Sequence, residues 1–281
     1  MIKIKNAGFT LVEILVALVI SVISMGAIFS SYQYFSKTHK LVSQKAALSQ
    51  TARDALTIIA RDLRNAGYQD IGYLNNRVGS WQADHRWLGI DVRDRYPARG
   101  RGNLSNSDML TIYYTVSPTD RRRIFYRPWK YKNSNDLYLA KEEVNNAITG
   151  GPNWKIINNN SNMLAPYITD FQVVLKKIDG SEIDNDVLKH NSYAGLALQK
   201  EVHTAEVYLT LRSPEEVYKE NKTIRITNHT QPDGTDMTIT DKYYRETFFI
   251  SVHTRNLSIP TSVASAKGST TSINIGTSYN P

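Results

Sequence analysis

A run of apolar residues from Phe9 to Phe29, broken by one acid at Glu13, constrains this chain more than any other feature. The run is 21 residues long, and a bilayer core needs about 20 residues at helical rise. An eight-residue leader, MIKIKNAG, stands before it, with Lys3 and Lys5 ahead of Gly8. A carboxylate inside a spanning helix costs about 2.5–3.5 kcal/mol on the insertion scale, so it normally has a partner. No nearby residue offers Glu13 a positive charge, which points to a partner from another molecule. Two ordinary readings compete. One is a cleaved secretory signal with Lys3 and Lys5 as its basic start. The other is a signal anchor whose Glu13 reaches toward the headgroups. Both leave the Gly8–Phe9 junction unexplained, and a cleaved signal has no need of the helical periodicity that follows.

That periodicity carries the helix past the membrane. Apolar residues recur at Ile28, Tyr32, Phe35, Val42, Ala46, Ala52, Leu56, Ile59 and Leu63, in alternating steps of three and four, with His39 and Ser49 as polar entries. Lys37, Lys40, Gln44, Lys45, Arg53, Asp54, Arg61, Asp62 and Arg64 fall off this stripe and read as a wetter face. No proline interrupts Phe9 to Gly67, and Gly67 is placed to cap the C-terminus. A helix from Phe9 to Ala66 would run roughly 87 Å at ~1.5 Å per residue. Its first half is expected to span the membrane and its second half to lie on a globular head.

Taken whole, the chain has a composition ordinary for a soluble domain, with 41% hydrophobic and 21% charged residues. The expectation is one soluble head on a single anchor. Lysines before the apolar run favour a cytoplasmic N-terminus and an exported head. The chain has no cysteine, which removes disulfides, thiolate metal sites and cysteine nucleophiles. Alternating apolar residues predict strands at 108–116, 122–127, 136–140, 168–178, 200–212 and 244–254. The segments 223–227 and 237–240 flank Pro232-Asp233-Gly234 as a hairpin, and Asp179-Gly180 reads as a turn. Residues 73–107 show little periodicity and read as a loop. Residues 258–281 are mostly Ser, Thr, Asn, Gly and Ala and read as a flexible tail.

Gly8, Phe9, Thr10, Leu11, Val12 and Glu13, with the apolar run behind them, resemble the prepilin N-terminus of type IV pilins and type II secretion pseudopilins. The resemblance implies that a prepilin peptidase cuts between Gly8 and Phe9 and methylates the new Phe9 amine. It also implies that Glu13 pairs with the Phe9 amine of a neighbouring subunit during assembly. Arg53 to Gly72, with its Ala-Arg-Asp-Leu-Arg run and Asn65-Ala66-Gly67-Tyr68, is similar to the segment closing the long helix in the PilW group of minor pilins. Asn106-Ser107-Asp108-Met109-Leu110 resembles that group's strand entry, and Arg255-Asn256-Leu257 its C-terminal end. A J-type secretion pseudopilin is the nearest rival.

The fold implied is α+β and pilin-like, a long N-terminal helix packed on an antiparallel sheet head. The divisions expected are leader 1–8, assembly helix 9–29, amphipathic extension 30–66, head 67–257 and tail 258–281. The partners implied are other minor pilins and the major pilin, the prepilin peptidase, the inner-membrane assembly platform and inner-membrane lipid. The resemblance implies that the subunit takes part in initiating pilus assembly and sits at the filament tip. An anchored module binding DNA or a surface is the alternative.

Chemistry is expected to be absent. None of the six histidines sits in an HExxH, and no GxSxG, P-loop or dinucleotide fingerprint occurs. No catalytic residue, cofactor or metal is assigned. Asp179, Glu182, Asp184 and Asp186 could hold calcium through oxygen ligands, but they depart from EF-hand spacing and read better as a solvated hairpin. Arg121, Arg122, Arg123, Arg127 and Trp129 form the candidate nucleic-acid contact, since arginines interleaved with aromatics can track phosphates and stack bases. The competing reading is a basic strand edge guarded against pairing, and nucleic acid is not the expected partner.

Overall fold

The computed structural model describes residues 10–68, 89–94, 107–117, 120–130, 136–147, 155–156, 162–185, 198–230 and 236–257. The expected leader 1–8, the tail 258–281 and the turn at Pro232-Asp233-Gly234 lie outside the described residues.

One helix, α1 (Leu11–Asn65), runs unbroken for 55 residues. Its ladder ends at Ala66, whose N–H donates to the Leu63 carbonyl, and the chain then enters the left-handed region at Gly67 (φ 77°). A side chain at Gly67 would be strained by that backbone and would also sit 2.6 Å from a Leu257 methyl. The cap expected at Gly67 is therefore also a packing point for the end of the head.

Burial divides α1 in two. None of the large apolar side chains between Leu11 and Phe35 is less than 52% exposed. From Leu48 onward one face is buried, through Ala52, Ala55, Leu56, Ile59, Ala60 and Leu63. The head thus covers less of the helix than the stripe suggested. Ile28, Tyr32 and Phe35 follow the same periodicity but lie on exposed helix below the head, and Val42 and Ala46 are exposed beside its lower edge. The reason is reach: the strand that comes down furthest beside α1 ends near the level of Lys40, which pairs with Glu215.

The head has two main sheets. The first contains β1 (Ile90–Arg93), β2 (Met109–Ser117), β3 (Asp120–Lys130), β4 (Leu137–Ala147), β5 (Lys155–Ile156) and β6 (Asn162–Pro166). Its order is β1-β2-β3-β4-β5, with β6 also paired to β4. The second contains β7 (Ile168–Lys176), β8 (Glu182–Ile183), β9 (Thr204–Glu216) and β12 (Tyr243–His253), in the order β12-β9-β7-β8. A hairpin, β10 (Lys222–Thr230) and β11 (Asp236–Asp241), stands beside them. Every pairing is antiparallel. The stretch read as a loop over 73–107 contains β1, because Ile90 and Val92 alternate into the core against Ile112 and Leu110. Four residues are too short for a period-two pattern to stand out in the sequence.

Polar residues fasten these layers together. Ser107 and Asp108, at the entry to β2, tie the first sheet to the second: Val173 N–H donates to the Asp108 carboxylate at 2.9 Å, and Ser107 Oγ donates to Asp170 at 2.9 Å. The chain crosses from β6 to β7 through Tyr167, a non-glycine residue at φ 54°. Its carbonyl accepts from Arg212 N–H, and its ring lies 5.3 Å beneath the Arg212 guanidinium. Asp62, assigned by its spacing to the wetter face of the helix, is buried instead. Its carboxylate accepts from the Tyr126 hydroxyl of β3 and from Lys141 Nζ of β4 at 2.5 Å, with Arg61 Nε 3.4 Å away. Periodicity missed it because an acid was counted as solvent-facing before a lysine and a tyrosine on the sheet were known to face it.

Burial, with the Asp62 carboxylate beside it, pushes the Tyr126 phenol well above its ordinary 10.0. The folded chain therefore keeps this proton at a pH where the unfolded chain releases it. The contribution is complete below the unfolded value and declines as pH rises past it. Melting temperature followed from about pH 9 to pH 11 should fall less steeply for Tyr126→Phe than for the parent chain, and equal slopes would contradict this account. Asp62→Asn should cost about 3 kcal/mol at neutral pH, measured by denaturant unfolding, because it strands the Lys141 ammonium in a mostly buried site.

Candidate functional site

The residues that matter most to the sequence reading lie at the start of α1. Thr10 is the N-cap, in extended conformation, and Glu13 is the third helical residue. Glu13 N–H donates to Thr10 Oγ1 at 3.3 Å. In return, Glu13 Oε2 accepts from Thr10 N–H at 2.8 Å and from the Thr10 hydroxyl at 2.9 Å. This is a reciprocal capping box, and it satisfies two of the donors that a helix start leaves open. The acid also sits at the positive end of the helix dipole.

The carboxylate therefore has local, uncharged partners within its own helix turn. The signal was present in the sequence, since Thr10-Leu11-Val12-Glu13 has the Thr-x-x-Glu spacing of a capping box. Among the described residues, both bonds made to the Glu13 carboxylate fall on one oxygen, Oε2. Gly8 and Phe9, the expected cleavage and methylation residues, lie outside the described residues. Behind Glu13 the helix is long and apolar enough to cross a membrane, and the span is not buried against the head.

The candidate nucleic-acid residues are divided by the pleat of β3. Successive strand residues point to opposite faces. Arg122 lies with Ile124 and Tyr126 toward the helix, and its guanidinium pairs with Glu143 at 2.6 Å. Arg123, Arg127 and Trp129 belong to the other face. There Arg123 lies 4.5 Å from the Phe125 ring centroid, and Arg127 lies 4.9 Å from the Trp129 centroid. Arg127 is also buried and paired at 2.5 Å with Glu142. The side chain of Arg121 is outside the described residues. The set does not converge on one open surface among the described residues: Arg122 and Arg127 are paired with glutamates, and Phe125 and Trp129 are covered by Arg123 and Arg127.

Tertiary structure joins residues that spacing kept apart. His203 and His253 meet edge to face with centroids 4.6 Å apart, where β12 runs beside the start of β9. In the acidic hairpin, Asp179 accepts from Ser181 N–H at 2.9 Å and Ser181 Oγ at 2.6 Å, closing the turn at Gly180 (φ 84°). Those bonds hold the Asp179 carboxyl below its usual range. Asp186 lies outside the described residues.

The capping box leads to a measurable effect. Thr10→Ala should weaken the helix start by about 1 kcal/mol, so the Glu13 amide should exchange its hydrogen about fivefold faster in micelles. Unchanged exchange would mean that the box does not hold the end.

Compared with known proteins, residues 3–29 match the prokaryotic N-terminal methylation motif. No curated protein sequence matches the chain. Among solved structures it is similar to a type IV-like pilin from Thermus thermophilus, with a TM-score of 0.41 and 14% identity over 75% of this chain and 97% of that one. The motif covers Gly8 and Phe9, the capping box and the membrane-length part of α1: the chain carries a prepilin-type N-terminal methylation motif at the start of one long helix that packs on an antiparallel β head.

Proposed function

We propose that this chain is a minor pilin of PilW type, a structural subunit and not an enzyme. It is made as a single-pass inner-membrane precursor with a cytoplasmic N-terminus and an exported head. The prepilin peptidase removes residues 1–8 and methylates Phe9. The subunit then joins other minor pilins at the tip of a type IV pilus, where it helps to start polymerisation by the major pilin on the inner-membrane platform. The supporting observation is the match of residues 3–29 to the methylation motif, set on a helix whose apolar flank has no cover among the described residues.

The physical logic is that one surface serves two environments. Lipid tails and the packed apolar side chains of neighbouring helices differ little in polarity, so the flank exposed along Leu11–Phe35 suits either. Glu13 fits the same scheme. Its Oε2 is held by Thr10 within the subunit, and the other oxygen is available to a neighbour's Phe9 amine. A bond from a cationic amine in a dry filament core, charged on both sides, is stronger than either bond from the uncharged Thr10 donors. A pseudopilin of a secretion system would use the same assembly steps for export.

The test is direct. Intact mass spectrometry of the protein from cells with an active prepilin peptidase should show a chain starting at a methylated Phe9, and a retained Met1 would refute processing. Glu13→Ala should be cleaved normally, yet its content in sheared filaments should fall at least about tenfold, the loss expected from about 1.4 kcal/mol of a buried charged contact. Undiminished incorporation would remove the charge-pairing role.

A further inference from the structure

The underside of the head is held at a set height above the apolar span. Phe29 closes the span, and the lowest helix–head ion pair, Lys40 with Glu215, comes eleven residues later on the same helix. That interval is about 16 Å along the axis. A headgroup layer is about 5–8 Å thick on each side of the hydrocarbon core. The underside therefore stands about one screening length, near 10 Å, above the lipid surface. Tyr32, Tyr34 and Phe35, all exposed, occupy the interval where aromatic side chains settle at an interface.

What faces the lipid at that level is basic. The end of β9, the turn over 217–221 and the start of β10 form the underside, with Lys242 closing it: Val217 and Tyr218 N–H both donate to the Lys242 carbonyl. Among the described residues the acids here other than Glu220 are already matched, Glu215 by Lys40, Glu216 by Lys242 at 3.9 Å and Asp241, across the hairpin from Lys222, by Arg245. The charges that remain are Lys37, Lys219 and Lys222 against Glu220, all on exposed residues. Lys222 lies 4.2 Å from the Tyr218 ring centroid, at the rim of this surface.

We propose that this underside is a seat for anionic phospholipid headgroups, which holds the head close to the membrane until the subunit enters a filament. The inference rests on the membrane-anchored reading above. Exposed lysines within a screening length of an anionic surface are attracted to it, and the attraction is lost at high salt.

The chain has no cysteine, so a single probe can be placed without background. Asn221 is exposed on the turn between Glu220 and Lys222. Full-length Asn221→Cys, labelled with bimane, would be reconstituted into phosphatidylcholine vesicles with or without phosphatidylglycerol. Both vesicle types would carry a nitroxide-headgroup lipid, and flotation would establish anchoring. The expected result is headgroup quenching about twofold stronger with phosphatidylglycerol at low salt, lost in 1 M salt where the screening length is about 3 Å. Lys37→Gln with Lys219→Gln should also abolish the difference while leaving the melting temperature unchanged. Equal quenching in the two lipids at low salt, in vesicles that carry the chain, overturns the seat alone. A chain that floats with neither vesicle overturns the anchor, and the seat with it.

Discussion

Everything in this molecule depends on α1 being one unbroken hydrogen-bonded ladder from Leu11 to Asn65. A helix is the one element that satisfies its own backbone both in lipid and in a protein core. Because the ladder has no break, the apolar span and the buried face of the head share one axis and one rotational phase. The underside of the head is therefore held at a definite height above Phe29. Proline or a loop anywhere between Phe29 and Leu48 would uncouple the two halves, and neither occurs.

The head grips only the last third of that helix, and it does so in two ways. Small and branched residues, from Leu48 to Leu63, bury an apolar face against both sheets. Asp62 then fixes the helix end by a charge that Lys141 and Tyr126 answer from neighbouring strands. Apolar packing alone tolerates sliding and rotation, because it is non-directional. A buried carboxylate does not, because displacement leaves a charge unpaired in a low dielectric. Ser107, Asp108 and Asp170 play the corresponding part between the two sheets, and the glycine at position 67 lets Leu257 close over the helix end.

The start of the helix is built on similar logic with a different result. Glu13 sits in an apolar segment yet is satisfied by Thr10, at the helix end that favours negative charge. Its bonds are local, close to the chain terminus and outside the head. The acid of Asp62 locks one arrangement of helix and sheet, whereas the acid of Glu13 closes only its own helix turn. The arginines of β3 show a third outcome. Glutamates on β4 pair with Arg122 and Arg127, and the aromatics of β3 itself receive Arg123 and Arg127, so a basic, aromatic stretch of sequence becomes an internally balanced sheet.

The sequence by itself determined whatever is local. The apolar run, the Thr-x-x-Glu spacing, the absence of proline and the period of the buried stripe all concern residues within a turn or two of each other, so the long helix and its membrane-length segment were legible at once. The long strands were legible for the same reason, through alternation. Only the tertiary structure decided where the head stops on the helix, that β1 exists, that Asp62 faces inward and that the β3 arginines are answered. Each of these depends on groups distant in the chain, Lys40 with Glu215 or Asp62 with Lys141, and a charge gives no sign in the sequence of whether water or an opposite charge will meet it.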